Sequence, residues 1–231
     1  MQWRPWRLKG PSTGSITQDK KMTRSASVWP FVASMAAVVA ASNFLVQFPF
    51  EHLGLQDFLT WGAFTYPFAF LVTDLTNRRY GPAAARKVVY VGFAIAVAFS
   101  VWLASPRIAI ASGSAFLIAQ LIDVFVFDRL RERTWWHAPF ISSVIGSVID
   151  TMIFFSLAFA ATLSVLDTGF GLEDSSLGFL VPFFGSEVPL WVSLAVGDFT
   201  VKLLLSVLML VPYGALLSVV LPAGSLARRK G

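Results

Sequence analysis

Five ionisable side chains interrupt the long apolar runs of this chain: Asp74, Asp123, Asp150, Asp198 and Lys202. A charged side chain at the centre of a bilayer costs at least about 2.5 to 3.5 kcal/mol on insertion scales, so each one needs a partner or a water-filled cavity. Groups of this kind bind solutes, relay protons or neutralise one another. We therefore begin with these side chains and then ask which elements position them.

One ion pair is predicted within a single helix. Asp198 and Lys202 stand four residues apart, so each charge can offset the burial of the other. Such a pair either locks its helix in place or forms part of a substrate or proton site, and both interpretations stay open. Asp74 is different, because the neighbouring Thr73 and Thr76 offer local capping partners at a predicted helix end, which favours a structural role.

Asp123 and Asp150 are the stronger candidates for a solute or proton site. Neither has a basic residue three or four positions away, so each carboxylate needs another helix or a ligand to compensate its charge. Gln120 and Ser147 precede them by three residues and share their helix faces. Counting residues along the spans places Asp150 roughly 14 to 18 Å deep, near the midplane, and Asp123 about 6 Å from the cytoplasmic boundary.

Transmembrane helices are the elements that must hold these residues. The chain is 56% hydrophobic and 13% charged, whereas a soluble domain carries about a quarter charged residues. Its apolar runs of about 17 to 25 residues are long enough to cross a hydrocarbon core of roughly 30 Å. We predict an all-α membrane protein with six transmembrane helices, at about 28–48, 58–75, 88–104, 108–127, 138–165 and 189–220.

The charges between the spans orient them. Basic residues follow the second span, the fourth span and the last: Arg78, Arg79, Arg86, Lys87, Arg129, Arg131, Arg133, Arg228, Arg229 and Lys230. The loop at 164–188 is acidic, and Arg107 is the lone charge of the third loop. The excess of Lys and Arg in cytoplasmic loops then places both the N and the C terminus in the cytoplasm.

Three regions follow from this pattern. Residues 1–27 are polar, contain glycine and proline and lack periodicity, which predicts a disordered basic cytoplasmic tail. We expect residues 28–222 to form the six-helix transmembrane domain and residues 223–231 to form a second basic cytoplasmic tail. The loop at 164–188 is long for an unstructured connection, and either a lid over a cavity or an interfacial segment fits its apolar content.

Several kinds of chemistry are excluded. The chain has no cysteine, so disulfides, thiolate metal sites and thiol nucleophiles are absent. His52 and His137 fall on opposite sides of the membrane, so no zinc site or Ser–His pair is expected. The GxxxxGK[ST] phosphate loop is missing as well. We expect no metal, no cofactor and no nucleic-acid partner, since the basic clusters serve topology and the partner is the lipid bilayer.

Ordered segments between residues 42 and 220 carry a family resemblance. They are residues 42–47, 60–64, 73–76, 120–123, 129–131, 135–139, the pair Asp150 and Thr151, and the pair Asp198 and Lys202. With these segments the chain resembles the queuosine precursor transporters, also grouped as a vitamin uptake transporter family. The resemblance implies a bacterial inner-membrane importer, not an enzyme, of 7-cyano-7-deazaguanine or 7-aminomethyl-7-deazaguanine, which serve the queuosine modification of tRNA.

Such a substrate suits carboxylates and aromatic rings. A deazaguanine presents adjacent N–H donors that one carboxylate accepts together, and flat faces that stack on rings. We expect Asp123 or Asp150 to be that acceptor. The nominated substrate-binding residues are Asn43, Gln47, Asp74, Gln120, Asp123, Asp150, Asp198 and Lys202.

Other interpretations stay open from sequence. Buried carboxylates could relay protons in a secondary carrier, or the chain could be a membrane subunit that works with a separate ATPase module; a homodimer is also open. The competing function is an intramembrane aspartic protease that uses Asp150 and Asp198, because Gly197 and Asp198 end a Gly-x-Gly-Asp-like pattern. The first glycine of that pattern is missing, and Lys202 would hold Asp198 ionised instead of letting it share a proton.

Overall fold

A computed structural model describes residues 27–45, 48, 50–51, 61–65, 67–103, 105–183 and 185–221 of the chain. The nominated residue Gln47 and all but Ser27 of the predicted N-terminal tail lie outside the described residues, as does the predicted C-terminal tail. The described part is mostly helical and contains several apolar helices, which confirms the prediction of a helical membrane protein at this level.

The helices follow one another with short connections. In chain order they are α1 (Trp29–Leu45), α2 (Gly62–Thr65), α3 (Pro67–Tyr80), α4 (Pro82–Leu103), α5 (Pro106–Leu130), α6 (His137–Phe159), α7 (Val165–Thr168), α8 (Leu190–Leu208) and α9 (Leu210–Val220). Prolines begin α3, α4 and α5, where the missing backbone N–H would have had no helical acceptor. Gly81 turns the chain sharply between α3 and α4 with φ +84°, a conformation that favours glycine.

Four described helices are long and apolar enough to cross a membrane: α4, α5, α6 and α8. Helices α1 and α9 are apolar but shorter. The predicted second span contains α2 and α3, and the predicted last span contains α8 and α9 with a break at Met209. Pro212 in the first turn of α9 explains that break, because proline has no N–H to continue the helical ladder.

Hydrogen bonds bring alternate connections to the same end of the molecule. The Tyr80 hydroxyl at the end of α3 donates to the Ser27 carbonyl before α1 at 3.0 Å. Arg78, also near the end of α3, donates to the Arg131 carbonyl after α5. Helix α1 therefore begins at the end of the molecule where α3 and α5 finish.

Gly146 lets α6 approach two other helices. A Cβ atom at this position would lie 2.8 Å from Phe70 Cε1 on α3 and 3.5 Å from the Ala119 carbonyl oxygen on α5. Small residues at such contacts allow membrane helices to pack closely. The same approach brings the polar residues of α3, α5 and α6 into one layer.

Alanine at position 146 is expected to lower stability because its methyl group would displace the Phe70 ring. Overpacking of this kind costs about 1 to 3 kcal/mol. Gly197→Ala is the matched control, since a Cβ there meets no atom within 4 Å and alanine has the better helix propensity. Thermal unfolding in detergent should therefore show Gly146→Ala less stable than Gly197→Ala. Equal stabilities would contradict the packing described here.

The segment after α6 has more structure than predicted. It contains a 3₁₀ turn at Ala161–Leu163, then α7, and an antiparallel hairpin of β1 (Leu180–Phe183) and β2 (Ser186–Pro189). Gly185 makes the hairpin turn with φ +85°. The all-α prediction is therefore incomplete. The predicted fifth span was also too long, because α6 ends at Phe159 and not at residue 165.

Candidate functional site

Lys202 joins α8 to α6 through a buried ion cluster. Its Nζ lies 2.6 Å from Asp150 Oδ2 and 2.6 Å from Asp198 Oδ2. The Thr151 hydroxyl donates to Asp198 at 2.7 Å and accepts from Lys202 at 3.2 Å. The predicted pair of Asp198 and Lys202 is confirmed, and Asp150 finds the partner on another helix that its sequence context requires. One positive and two negative charges leave this cluster with one net negative charge.

A second carboxylate pair lies between α3 and α5. Asp74 and Asp123 are buried within interaction range of each other and of the Ser142 hydroxyl on α6. By strict hydrogen-bond geometry, both Asp123 oxygens and Asp74 Oδ1 nonetheless lack a donor among the described residues. This pair therefore differs from the first one, which has an ammonium group between its carboxylates.

Arg78 lies one helical turn from Asp74 and contributes positive charge to its surroundings. Its hydrogen bonds, however, are directed elsewhere. Nε donates to the Tyr213 hydroxyl at 2.8 Å, and the terminal nitrogens donate to the carbonyls of Arg131 and Trp135. Arg78 therefore ties α3 to α9 and to the α5–α6 connection, and Asp74 Oδ1 is left without a donor among the described residues.

The local capping predicted for Asp74 is wrong. Asp74 lies inside α3, which continues to Tyr80. Thr73 and Thr76 donate to the carbonyls of Ala69 and Val72 in the same helix. Their hydroxyls satisfy the ordinary back-bonding pattern of threonine in a helix. The carboxylate of Asp74 is left for other groups.

Gln120 and Asn77 complete this polar layer. Thr73 donates to Gln120 Oε1 at 2.8 Å, and Asn77 donates to the Val124 carbonyl at 2.9 Å. Gln120 Nε2 and Asn77 Oδ1 have no hydrogen-bond partner among the described residues. These contacts place Gln120 in the interface between α3 and α5.

A cavity separates the two carboxylate pairs. Its lining residues come from α3, α6, α8, the α8–α9 junction and α9: Pro67, Phe70, Leu71, Asp74, Pro139, Ser143, Ser147, Lys202, Ser206, Met209, Leu210 and Tyr213. The cavity volume is about 20 Å³, which is room for about one water molecule. The cavity is thus narrow, and Asp74 and Lys202 are its charged lining residues.

The nominated residues divide by their relation to this cavity. Asp74 and Lys202 line it. Asp150 and Asp198 form ion pairs with Lys202 but are not in the lining themselves. Asp123 interacts with Asp74 and is not in the lining either. Asn43 donates to the Val39 carbonyl within α1. No group of three or more metal-ligating side chains lies together in the described ranges.

Sequence reasoning missed Tyr213 and Arg107. Tyr213 is almost fully buried in the cavity lining, and its position eleven residues after Lys202 places both on one helical stripe, a signal that was readable. Arg107 was predicted as a loop charge, yet its side chain is fully buried. Nothing in its local sequence indicates that burial, because its partners are far along the chain.

Arg107 organises the end of the molecule opposite Arg78. Its Nη1 lies 2.9 Å from Asp167 Oδ2 and 3.1 Å from the Ser176 hydroxyl. Nε and Nη2 donate to the carbonyls of Leu157 and Ala160 at 2.9 and 2.6 Å. Carbonyls at a helix C-terminus have no intrahelical donor, so Arg107 both caps α6 and anchors the segment that follows. This explains why α6 ends at Phe159.

Asp167→Asn is expected to destabilise the protein by about 3 kcal/mol, since it leaves the Arg107 guanidinium buried without its charge partner. Burial opposes ionisation of Asp167, but hydrogen bonds from Arg107 and Ser175 outweigh it and hold the pKa of Asp167 below its ordinary value of 3.8. A carboxyl with a lowered folded-state pKa stabilises the fold above its unfolded pKa. That stabilisation is lost as the pH falls through the folded value.

Thermal unfolding in detergent across a pH series measures this effect. The gap between the native protein and Asp167→Asn should be full at neutral pH and should close in strong acid. Glu173→Gln, at an exposed position in the same segment, should match the native protein throughout. A gap that persists unchanged in acid would show that the aspartate charge is not its source.

Comparison with known proteins gives consistent matches. The family described as "Putative vitamin uptake transporter" matches residues 60–105 and 99–216. A "Probable queuosine precursor transporter" of Haemophilus influenzae is 38% identical over 241 residues, covering 90% of this chain and 93% of the relative. The "Queuosine precursor transporter" of Escherichia coli is 35% identical over 208 residues, covering 80% and 83%. No solved structure matches the chain.

Proposed function

This chain belongs to the vitamin uptake transporter family, and from that membership we propose that it imports queuosine precursors. It is a multi-pass protein of the bacterial inner membrane and a transporter, not an enzyme. The protease alternative is therefore wrong. The ion cluster agrees with this outcome, since an ammonium between Asp150 and Asp198 removes the repulsion that makes a protease dyad share a proton.

The substrate in this proposal is 7-cyano-7-deazaguanine, its 7-aminomethyl analogue, or both, for queuosine modification of tRNA. The observation that carries it is the cavity with Asp74 and Lys202 in its lining. The Asp74 carboxylate accepts the adjacent N–H donors of the pairing edge. The three N–H donors of Lys202 already reach Asp150, Asp198 and Thr151, so the ammonium places a positive charge beside the carbonyl oxygen of the substrate. Phe70 and Tyr213 offer aromatic surfaces to the flat faces.

Asp74 replaces Asp123 and Asp150 as the proposed acceptor. Asp150 already accepts a hydrogen bond from Lys202 at 2.6 Å, and neither Asp150 nor Asp123 is in the cavity lining. Asp74 is in the lining and its Oδ1 lacks a donor among the described residues, so it is the better partner for the substrate N–H groups. The net negative charge behind Lys202 would also favour the cationic aminomethyl precursor.

Transport requires the narrow cavity to open. A drug-sized ligand occupies a pocket of several hundred Å³, so the helices around the cavity must separate to admit a deazaguanine. The break at Met209 is in the cavity lining. A change of backbone angles at such a junction moves one helix relative to the other, and we assign α9 this movement.

The proposed topology has six passes with both termini in the cytoplasm. Arg78 and Arg131 lie at the end of the molecule that also holds Ser27, whereas Asp167 and Asp174 lie with Arg107 at the other end. The first end carries most of the basic residues between helices. The positive-inside rule then favours that end as the cytoplasmic one.

Rescue of queuosine-modified tRNA tests the proposed function. The host lacks both synthesis and uptake of precursors, and it receives 7-cyano-7-deazaguanine in the medium. Appearance of queuosine in tRNA on expression of this protein would support import. No rescue by a well-expressed, membrane-inserted protein, either with this precursor or with 7-aminomethyl-7-deazaguanine in its place, would overturn it. A parallel culture with the Escherichia coli relative verifies the assay.

A further inference from the structure

The two buried carboxylate pairs are compensated differently. Lys202 stands 2.6 Å from both Asp150 and Asp198 and offsets their repulsion. Asp74 and Asp123 face each other with no cation between them in the described part of the chain. Two carboxylates this close in a dry interior cannot both stay ionised at low cost. The second pair therefore requires a positive species.

The charged side chains around Asp74 and Asp123 do not provide this positive species. On α3, Arg78 contributes charge but donates its hydrogen bonds to the Tyr213 hydroxyl and to backbone carbonyls. Lys202 on α8 is held by its own two carboxylates. On α6 the Ser142 hydroxyl lies near the pair but donates to the Pro139 carbonyl at 3.4 Å. The buried residues that α1 and α4 contribute to the adjoining core are apolar: Met35, Val39, Ala85, Val88 and Val89.

The unsatisfied oxygens indicate a proton. Both oxygens of Asp123, which is fully buried, and Oδ1 of Asp74 lack donors among the described residues, and so does Oδ1 of the nearby Asn77. One proton on Asp123 creates an O–H group that donates to the Asp74 carboxylate and removes one negative charge. No redox or covalent step is involved, because the proton is bound on one side and released on the other.

Asp74 connects this proton to the cavity. Its side chain is in the lining, whereas Asp123 lies behind it. Once Asp123 carries the proton, Asp74 keeps its charge and its other oxygen can accept N–H donors from a substrate. Proton and substrate therefore favour each other's binding, which is the thermodynamic requirement for their joint movement.

We propose that Asp74 and Asp123 bind one proton, which crosses the membrane together with the deazaguanine, so that the protein is a proton–solute symporter. The inference rests on the proposed function and adds its energy source. A proton gradient would then replace a separate ATPase partner. The proposal also gives the two carboxylate pairs different roles. The Lys202 cluster keeps a fixed charge, whereas the Asp74–Asp123 pair binds and releases the proton.

Transport into proteoliposomes tests the coupling. The probe is radiolabelled 7-cyano-7-deazaguanine, supplied with an inwardly directed proton gradient. One proton per substrate should raise the accumulation ratio about tenfold for each pH unit of gradient, and a protonophore should abolish the rise. In Asp123→Asn the proton gradient should no longer raise the accumulation ratio, which should stay at about one with or without the gradient, because an amide cannot exchange a proton. Asp123→Glu should retain a gradient response.

Matched controls separate the possible failures. Asp128→Asn, on the same helix but half-buried beside Arg131, should keep the native gradient response. Native protein that exchanges the probe but ignores a proton gradient, or responds to a sodium gradient instead, would overturn the symport inference alone. Native protein that exchanges neither this probe nor labelled 7-aminomethyl-7-deazaguanine would overturn the proposed function. A gradient response in correctly folded Asp123→Asn would also exclude this proton site.

Discussion

Lys202→Met is expected to lower uptake by roughly 10- to 100-fold and the free energy of unfolding by about 3 to 5 kcal/mol. Loss of the ammonium removes a positive charge from the cavity lining, and a contact with a charged group contributes about 1.5 to 3 kcal/mol. It also leaves Asp150 and Asp198 facing each other, each having lost a partner at 2.6 Å. Breaking one side of a buried ion pair is what carries the large stability cost.

A second variant separates the two effects. Lys202→Met combined with Asp150→Asn removes the repulsion between the carboxylates, so it should recover part of the lost stability. Uptake should stay low, because the positive charge is still missing from the cavity lining. Initial uptake rates of labelled substrate and thermal unfolding in detergent measure the two properties, with exposed Lys87→Met as the control. Normal uptake by Lys202→Met would contradict the proposed role of the cavity.

The transmembrane helices were predictable because their cause is local. Long apolar runs determine α4, α5, α6 and α8, and the prediction placed a span over each of them. The prediction was wrong where contacts with residues far along the chain determine the end of a helix. Helix α6 stops at Phe159 because Arg107 binds the Leu157 and Ala160 carbonyls, a contact over about fifty residues that no local pattern contains.

The hairpin was missed for a related reason. β1 and β2 have four residues each, too few to show an alternating pattern of apolar and polar residues. Only the turn at Gly185 left a recognisable local signal. Its contacts with the following helix, such as the bond from the Leu190 N–H to the Phe179 carbonyl, are what hold the segment.

The candidate site shows the same division between local and distant information. Asp198 and Lys202 were predicted correctly because both lie on one helix. Spacing along the chain could also show that Asp150 lacked a basic partner on its own helix. It could not show that Lys202 of another helix would be that partner. Depth estimates gave Asp123 a position along the membrane normal and no lateral position. Its pairing with Asp74 needed the packing of α3 against α5.

Asp74→Asn is expected to weaken the apparent affinity for 7-cyano-7-deazaguanine by roughly 30- to 1000-fold. The carboxylate offers acceptors to both N–H groups of the pairing edge, whereas the amide offers one oxygen and turns its own N–H groups towards a donor. Losing a charge-assisted pair of hydrogen bonds corresponds to about 2 to 4 kcal/mol. The affinity is measured from exchange in proteoliposomes without a gradient, so that proton coupling does not enter.

A substrate analogue makes this prediction specific to the contact. 7-Cyano-7-deazahypoxanthine lacks the exocyclic amino group, so native protein should bind it less well, and Asp74→Asn should discriminate little between the two compounds. If the affinity lost through Asp74→Asn and the affinity lost through the missing amino group were simply additive, Asp74 would not contact the pairing edge. Stability supplies the last distinction. Asp74→Asn removes one charge from a pair with no cation between its carboxylates, so it should leave stability unchanged or raised, whereas Lys202→Met should lower it.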